Sequence, residues 1–222
     1  MRDGVRAVRV LALSALTLLA LGGCWGAMQS SPDDPISAGG LTASVEDKDA
    51  GLVGVAPGFQ LKAYRVIAVK PFPVTDKLED EGDRKFAAEM TAFLHAELVR
   101  RLRDTALFTR VVNLAETPAY APAAGERVLR LEGEITRLGR GSQVARYFAG
   151  AYGAGRTRAQ ADMKFVENPS NRVVMVVSDR RIASVGLFGG SDRDHLRESF
   201  DDLARDLGKF LVRLARGEAP GK

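Results

Sequence analysis

The chain carries few residues that do chemistry unaided, and the first of them is Cys24, the only cysteine in 222 residues. A thiol is a nucleophile that can accept acyl groups, and with no second one the chain cannot close an internal disulfide. His95 and His195 are the only two histidines. His95 falls mid-helix beside apolar neighbours, His195 in the first turn of the last helix, and neither has a second ligand at metal spacing. Both are expected at the surface or rim. A G-x-S-x-G nucleophile elbow is absent. Asp192, Asp194, Glu198, Asp201 and Asp202 fall where helix caps and solvated helix faces favour acids. With no catalytic constellation and no metal site recognisable, the chain is expected not to be an enzyme.

The most distinctive stretch runs from Gly139 to Arg158. It opens Gly139-Arg140-Gly141-Ser142 and continues Arg146-Tyr147-Phe148-Ala149-Gly150-Ala151-Tyr152-Gly153-Ala154-Gly155-Arg156. Phosphate binding would need a following Lys-Ser/Thr and a helix, whereas this run enters a strand. Two readings stay open. Glycine permits positive φ and close backbone approach, which suits a crowded connection between two strands. Alternatively the stretch displays Tyr147, Phe148 and Tyr152 among Arg140, Arg146, Arg156 and Arg158, a surface for a partner protein or a lipid interface. A second loop, Gly186-Leu187-Phe188-Gly189-Gly190-Ser191, sets Phe188 just before a helix N-terminus. That terminus would attract an anion, but Asp192 and Asp194 repel one, so a plain cap fits better. The candidate contact residues for a partner or lipid are therefore Arg146, Tyr147, Phe148, Tyr152, Arg156 and Phe188.

The elements that must position these loops can be read from periodicity. Tyr64 to Val69 is rich in β-branched residues and stopped by Pro71 and Pro73, as in a buried strand. Asp76 to Asp83 is a charged turn. Phe86, Met90, Phe93, Leu94, Leu98 and Leu102 then form one stripe of a long amphipathic helix. Leu107 to Val112 predicts a short strand, and Thr117 to Gly125, with two prolines, a loop. Leu129, Leu131, Gly133 and Ile135 alternate with polar residues, as do Ala159, Ala161, Met163 and Phe165, so both are half-buried strands. The turn Asn168-Pro169-Ser170-Asn171 leads into a strand over Arg172 to Val177, making a hairpin, with Arg180 to Val185 extending it past a bulge. Ser191 and Asp194 form a capping box for a last helix, striped by Leu196, Phe200, Leu203, Leu207, Phe210, Leu211 and Leu214. The fold class is α+β: a mixed or antiparallel sheet of about four to five strands with two long amphipathic helices on one face.

The N-terminus carries an address. Arg2, Arg6 and Arg9 precede the apolar run Val10 to Leu21, interrupted only by Ser14 and Thr17, and small residues close it. This core is too short to span a bilayer, which takes about 20 residues. Residues 1–23 read as a signal peptide, 24–59 as a flexible tether rich in Gly, Ser, Pro and Asp, 60–216 as one domain and 217–222 as a tail. Within the tether, Leu52 to Ala56 reads as an edge strand or, preferably, as a patch lying against the domain. Removing the signal takes three Arg and one Asp from 32 basic and 28 acidic residues, leaving a net charge of only +2. Nucleic acid is therefore not expected as a partner.

Leu21-Gly22-Gly23-Cys24 resembles the lipobox of bacterial lipoproteins, and the resemblance implies that Cys24 is acylated and becomes the mature N-terminus. Several acyl chains hold a protein firmly on a membrane, at about 0.8 kcal/mol per buried methylene. The covalent lipid would be the only cofactor. Trp25 stands where lipoproteins kept at the inner membrane favour aspartate, which implies an outer-membrane anchor facing the periplasm. Gly133-Glu134-Ile135, Ala145-Arg146-Tyr147-Phe148-Ala149-Gly150 and Gly153-Ala154-Gly155 resemble a bacterial lipoprotein family known only as a domain of unknown function. The likeness covers roughly residues 60–215, includes Asp162 and Asn168-Pro169, and brings no activity with it. More distantly, Val66 to Val69, the helix and Phe108 to Val112 resemble the α/β domain of curli-secretion lipoproteins. The expectation is a non-enzymatic accessory subunit of an envelope assembly or transport system, bound to an envelope protein partner. A self-assembling secretion pore, hence a homo-oligomer, is the alternative, with an envelope ligand-binding protein or hydrolase behind it.

Overall fold

The computed structural model describes residues 27–139, 157–183 and 191–221. Ten strands and two helices follow one another: β1 (Met28–Ser30), β2 (Ser37–Ala38), β3 (Leu41–Thr42), β4 (Val45–Asp47), β5 (Gly51–Val55), β6 (Val66–Val69), α1 (Glu81–Asp104), β7 (Arg110–Asn113), β8 (Val128–Gly139), β9 (Thr157–Asn168), β10 (Val173–Ala183) and α2 (Asp192–Ala215). Eight strands share one sheet in the order β4-β5-β10-β9-β8-β6-β7, with β1 also paired to β10. Only β6 runs parallel to its neighbours, β7 and β8, because α1 carries the chain back across the sheet between β6 and β7.

Alternation decides which face is covered. Leu129, Leu131 and Ile135 of β8 and Ala159, Ala161, Met163 and Phe165 of β9 point inward and are fully buried. They pack with Phe86, Met90, Leu94, Leu98 and Leu102 of α1 and with Leu196, Phe200, Leu203, Leu207, Phe210 and Leu211 of α2. Ile67 and Val69 join this core, whereas Val66 and Ala68 turn the other way into a small cluster with Val112 and Val128. Asp80 caps α1 by accepting from the Asp83 N–H at 2.8 Å. Ser191 caps α2 by accepting from the Asp194 N–H, the N-cap half of the capping box read from the sequence, and the Asp194 carboxylate in turn accepts from the Ser191 hydroxyl at 2.7 Å. Gly133 lies inside the sheet where any Cβ would come within 2.6 Å of both the Asp162 carbonyl oxygen and the Phe72 ring.

Several expectations are corrected. The sheet has eight strands rather than four to five, and the difference comes from residues read as a tether. β5 pairs with β10 from Val55–Met175 to Leu52–Ser178, and β4 closes a hairpin on β5, so Leu52 to Ala56 is not a patch lying loosely on the domain. β1 continues the same edge of β10, from Ser30–Arg180 to Met28–Ile182. This segment hides its structure because its buried residues are small or polar: Ala43, Ala50, Val53 and Asp47. Asp47 is satisfied from the far end of the chain, by Arg213 at 2.7 and 2.8 Å and by the Gly221 N–H, so residues near 217–221 fold back onto it. The short strand starts at Arg110 instead of Leu107, since Ala106 turns the chain with φ of 54° after α1. β10 runs unbroken to Ala183, its register shift lying between Val173 and Met175 rather than near residue 180. His95 is buried, not superficial, and its Nε2 meets Asn113 Oδ1 at 2.6 Å.

Candidate functional site

Cys24, Arg146, Tyr147, Phe148, Tyr152, Arg156 and Phe188 lie outside the described residues, as does Cys24's lipobox. What is described is where the chain departs towards them. β8 ends at Gly139, opposite Arg158 of β9, and β10 ends at Ala183, opposite Thr157. The two Gly-rich connections therefore start from the same end of the sheet.

The outer face of the sheet, opposite the helices, holds a set of converging polar groups. Residues 31–44 cross this face as a strap. Gln160 grips it as a backbone would: its Oε1 accepts from the Asp33 N–H at 2.8 Å and its Nε2 donates to the Asp33 carbonyl at 2.7 Å. Ser178 Oγ accepts from the Ile36 N–H at 2.9 Å and donates to Asp162 Oδ1 at 2.5 Å. Thr136, the extra residue of a bulge in β8, donates to Asp162 Oδ2 at 2.8 Å. The Asp162 carboxylate is buried but fully engaged, so it serves as an anchor for the strap. Register explains the meeting, since Asp162 pairs with Ser178 and Gln160 with Arg180 across the hairpin. The signal for that pairing in the sequence is the turn at Asn168 to Asn171, which sets the hairpin register.

Beside the strap lies an open cleft of about 420 Å³ between Ile36 to Ala38, Pro71, Pro73 and the outward side chains of β8 and β9. Glu132 sits in its floor with three cations around it: Lys70 at 2.8 Å, Lys164 at 3.3 Å, and Arg130. Burial pushes its carboxyl up, but the hydrogen bonds from Lys70 and Arg130 outweigh that and hold it at about 2. So acidic a group is a poor proton acceptor near neutrality. Each lysine ammonium has three donors, and Glu132 engages only part of that capacity. At the far end of the sheet, Tyr64 donates to Glu167 at 2.6 Å and Arg127 donates to it at 3.0 Å while stacking 4.6 Å over the tyrosine ring. Those two donors lower Glu167 to about 2 as well.

Both glutamates deprotonate more readily in the folded chain than in the unfolded one, where a glutamate titrates near 4.5. The stability they contribute is therefore complete above the unfolded value and is lost as pH falls from there towards 2. Glu132→Gln is expected to lower the urea midpoint at pH 7 and to match the parent protein near pH 2. A difference that does not change with pH would contradict this assignment.

Among the described residues no group of three or more His, Cys, Asp or Glu side chains is arranged to hold a metal ion. No described helix is long and apolar enough to cross a membrane.

No family model matches the chain, and no curated protein matches it. Solved structures do. A PelC dodecamer from Paraburkholderia phytofirmans is 12% identical with a TM-score of 0.44, covering 70% of this chain and 94% of that one. A Xanthomonas campestris protein of the family-model DUF330 is 10% identical with a TM-score of 0.46, covering 73% and 93%. A minor lipoprotein from Acinetobacter baumannii is 12% identical with a TM-score of 0.36, covering 72% and 99%. At these scores the neighbours say what the chain is similar to and carry nothing about what it does.

Proposed function

We propose that this chain is a lipid-anchored protein of the bacterial cell envelope, acylated on Cys24 and facing the periplasm from the outer membrane. Its role is that of a non-enzymatic accessory subunit that docks on another envelope protein. The observation that carries the reading is Leu21-Gly22-Gly23-Cys24, placed at the exit of a basic-then-apolar leader and holding the only cysteine of the chain. Support comes from Glu132 and Glu167, salt-bridged carboxylates held at about 2, a state that suits a binding surface better than acid–base chemistry. The docking surface in this reading is Tyr147, Phe148, Tyr152 and Phe188 with Arg146 and Arg156. Likeness to the lipoprotein family of unknown function belongs to the same proposal.

The cleft beside Glu132 favours a second reading, an envelope ligand-binding protein whose ligand carries acceptors for Lys70 and Lys164. Both readings meet one experiment. Full-length protein extracted from membranes in mild detergent is expected to bring a foreign protein subunit with it; a bare monomer would overturn the accessory reading and leave the cleft as the place to seek a ligand.

A further inference from the structure

We infer that one end of the sheet, the end marked by Met28, Gly139, Arg158 and Ile182, faces the lipid bilayer. The inference rests on the acylation of Cys24 proposed above and adds which side of the domain the anchor brings to the membrane. Strand register carries it. Met28 pairs with Ile182, Ile182 with Arg158, and Arg158 with Gly139, so β1, β10, β9 and β8 stand level at this end. The chain enters the sheet at Met28, four residues after Cys24. An extended chain covers at most about 3.6 Å per residue, so the acylated cysteine lies within roughly 14 Å of the strand. The other end of β9, at Asn168, is eleven residues from Thr157. At about 3.3 Å per residue that is roughly 36 Å, well beyond the reach of the anchor.

The residues at the two ends fit this orientation. Met28 is 70% exposed and is one of two large apolar side chains left exposed among the described residues. Arg158, level with it, is also exposed. An apolar side chain beside an arginine suits an interface where acyl chains meet anionic headgroups. The far end instead presents the polar turn Asn168 to Asn171, with Glu167 tied to Arg127 and Arg172.

The test uses full-length acylated protein in vesicles of phosphatidylethanolamine and phosphatidylglycerol whose headgroups carry a nitroxide quencher. Acylation occupies Cys24, so a single introduced cysteine takes a fluorescent label alone. Arg158→Cys reports the proposed end and Ser170→Cys the far turn, both at exposed positions. Met28→Cys repeats the first reading should Arg158 prove intolerant. The nitroxide is expected to quench the label at 158 or 28 several-fold more than at 170. Equal or reversed quenching in acylated, vesicle-bound protein would overturn the orientation and leave the anchor reading standing. A chain that carries no acyl groups by mass, or does not float with the vesicles, would overturn both.

Discussion

A chain that begins at residue 60 is expected not to fold as a stable monomer, although composition places the domain boundary there. The cut removes β1, β4 and β5 together and leaves β10 as a bare edge from Met175 to Ile182. Val176 and Val177 of that strand are fully buried in the intact protein. An unpaired, apolar edge of this kind is a template for pairing with another chain. The loss also takes Val53 and Ala50 from the core, and it strips Arg213 of both its carboxylates, Asp47 at 2.7 Å and Asp49 at 2.9 Å. At about 1 kcal/mol for each lost backbone hydrogen bond and about 2 kcal/mol for a buried valine, the deficit exceeds roughly 5 kcal/mol. That is comparable with the whole stability of a domain, about 5–15 kcal/mol. Thermal melts and size-exclusion profiles of chains starting at 27 and at 60 check the point. The longer chain should melt cooperatively as a single species, and the shorter one should aggregate or lack a transition. Equal melting of the two would show that residues 27–59 are a tether after all.

Arg181→Met is the second large effect, at about 3–5 kcal/mol of stability, the usual loss when one partner of a buried ion pair is removed. Arg181 points from β10 to the helix side, where it meets Asp179 at 2.7 Å and Asp206 of α2 at 3.0 Å. It also donates to the Asp49 carbonyl at 3.0 Å, so it ties the N-terminal hairpin, the central hairpin and the last helix together. Asp179 is only 1% exposed, and burial pushes its carboxyl up even with Arg181 pulling it down. Without the arginine that upward push is unopposed by its main partner. A raised folded pKa means that stability is fullest below the unfolded aspartate value and falls as pH rises through the folded one. The deficit of Arg181→Met should therefore shrink as pH drops towards 4, and adding Asp179→Asn should recover part of it at pH 7. Urea denaturation of the single and double variants reads both effects. No recovery in the double variant would mean that the lost packing of the arginine stem matters more than the stranded charge.

These two sites also show what the sequence could and could not convey. The long strands β8 to β10 and both helices were legible because their patterns are local: period two over ten or so residues, a helical stripe, a capping box at Ser191 and Asp194. The segment before residue 59 was illegible because its partners lie far along the chain. Asp47 reads as a solvated acid until Arg213 is placed beside it, 166 residues on. Gly51 reads as a loop residue, yet its φ of 75° and its approach to the Ser178 carbonyl place it at a tight hairpin entering the sheet. His95 looked superficial for the same reason, since Asn113 is brought to it only by the crossover from α1 to β7. In the candidate site, the strap anchors Gln160, Asp162 and Ser178 follow from hairpin register, whereas the aromatic contact residues rest on the sequence alone.

Native mass spectrometry of the full-length protein, extracted from membranes in detergent, tests the central claim most directly because it weighs both the chain and what holds to it. The account predicts a chain that starts at Cys24, carries acyl groups, and comes with a foreign envelope subunit. A uniform homo-oligomer of acylated chains would replace the accessory role with self-assembly. An unacylated chain, or one cut elsewhere than before Cys24, would contradict the account at its root.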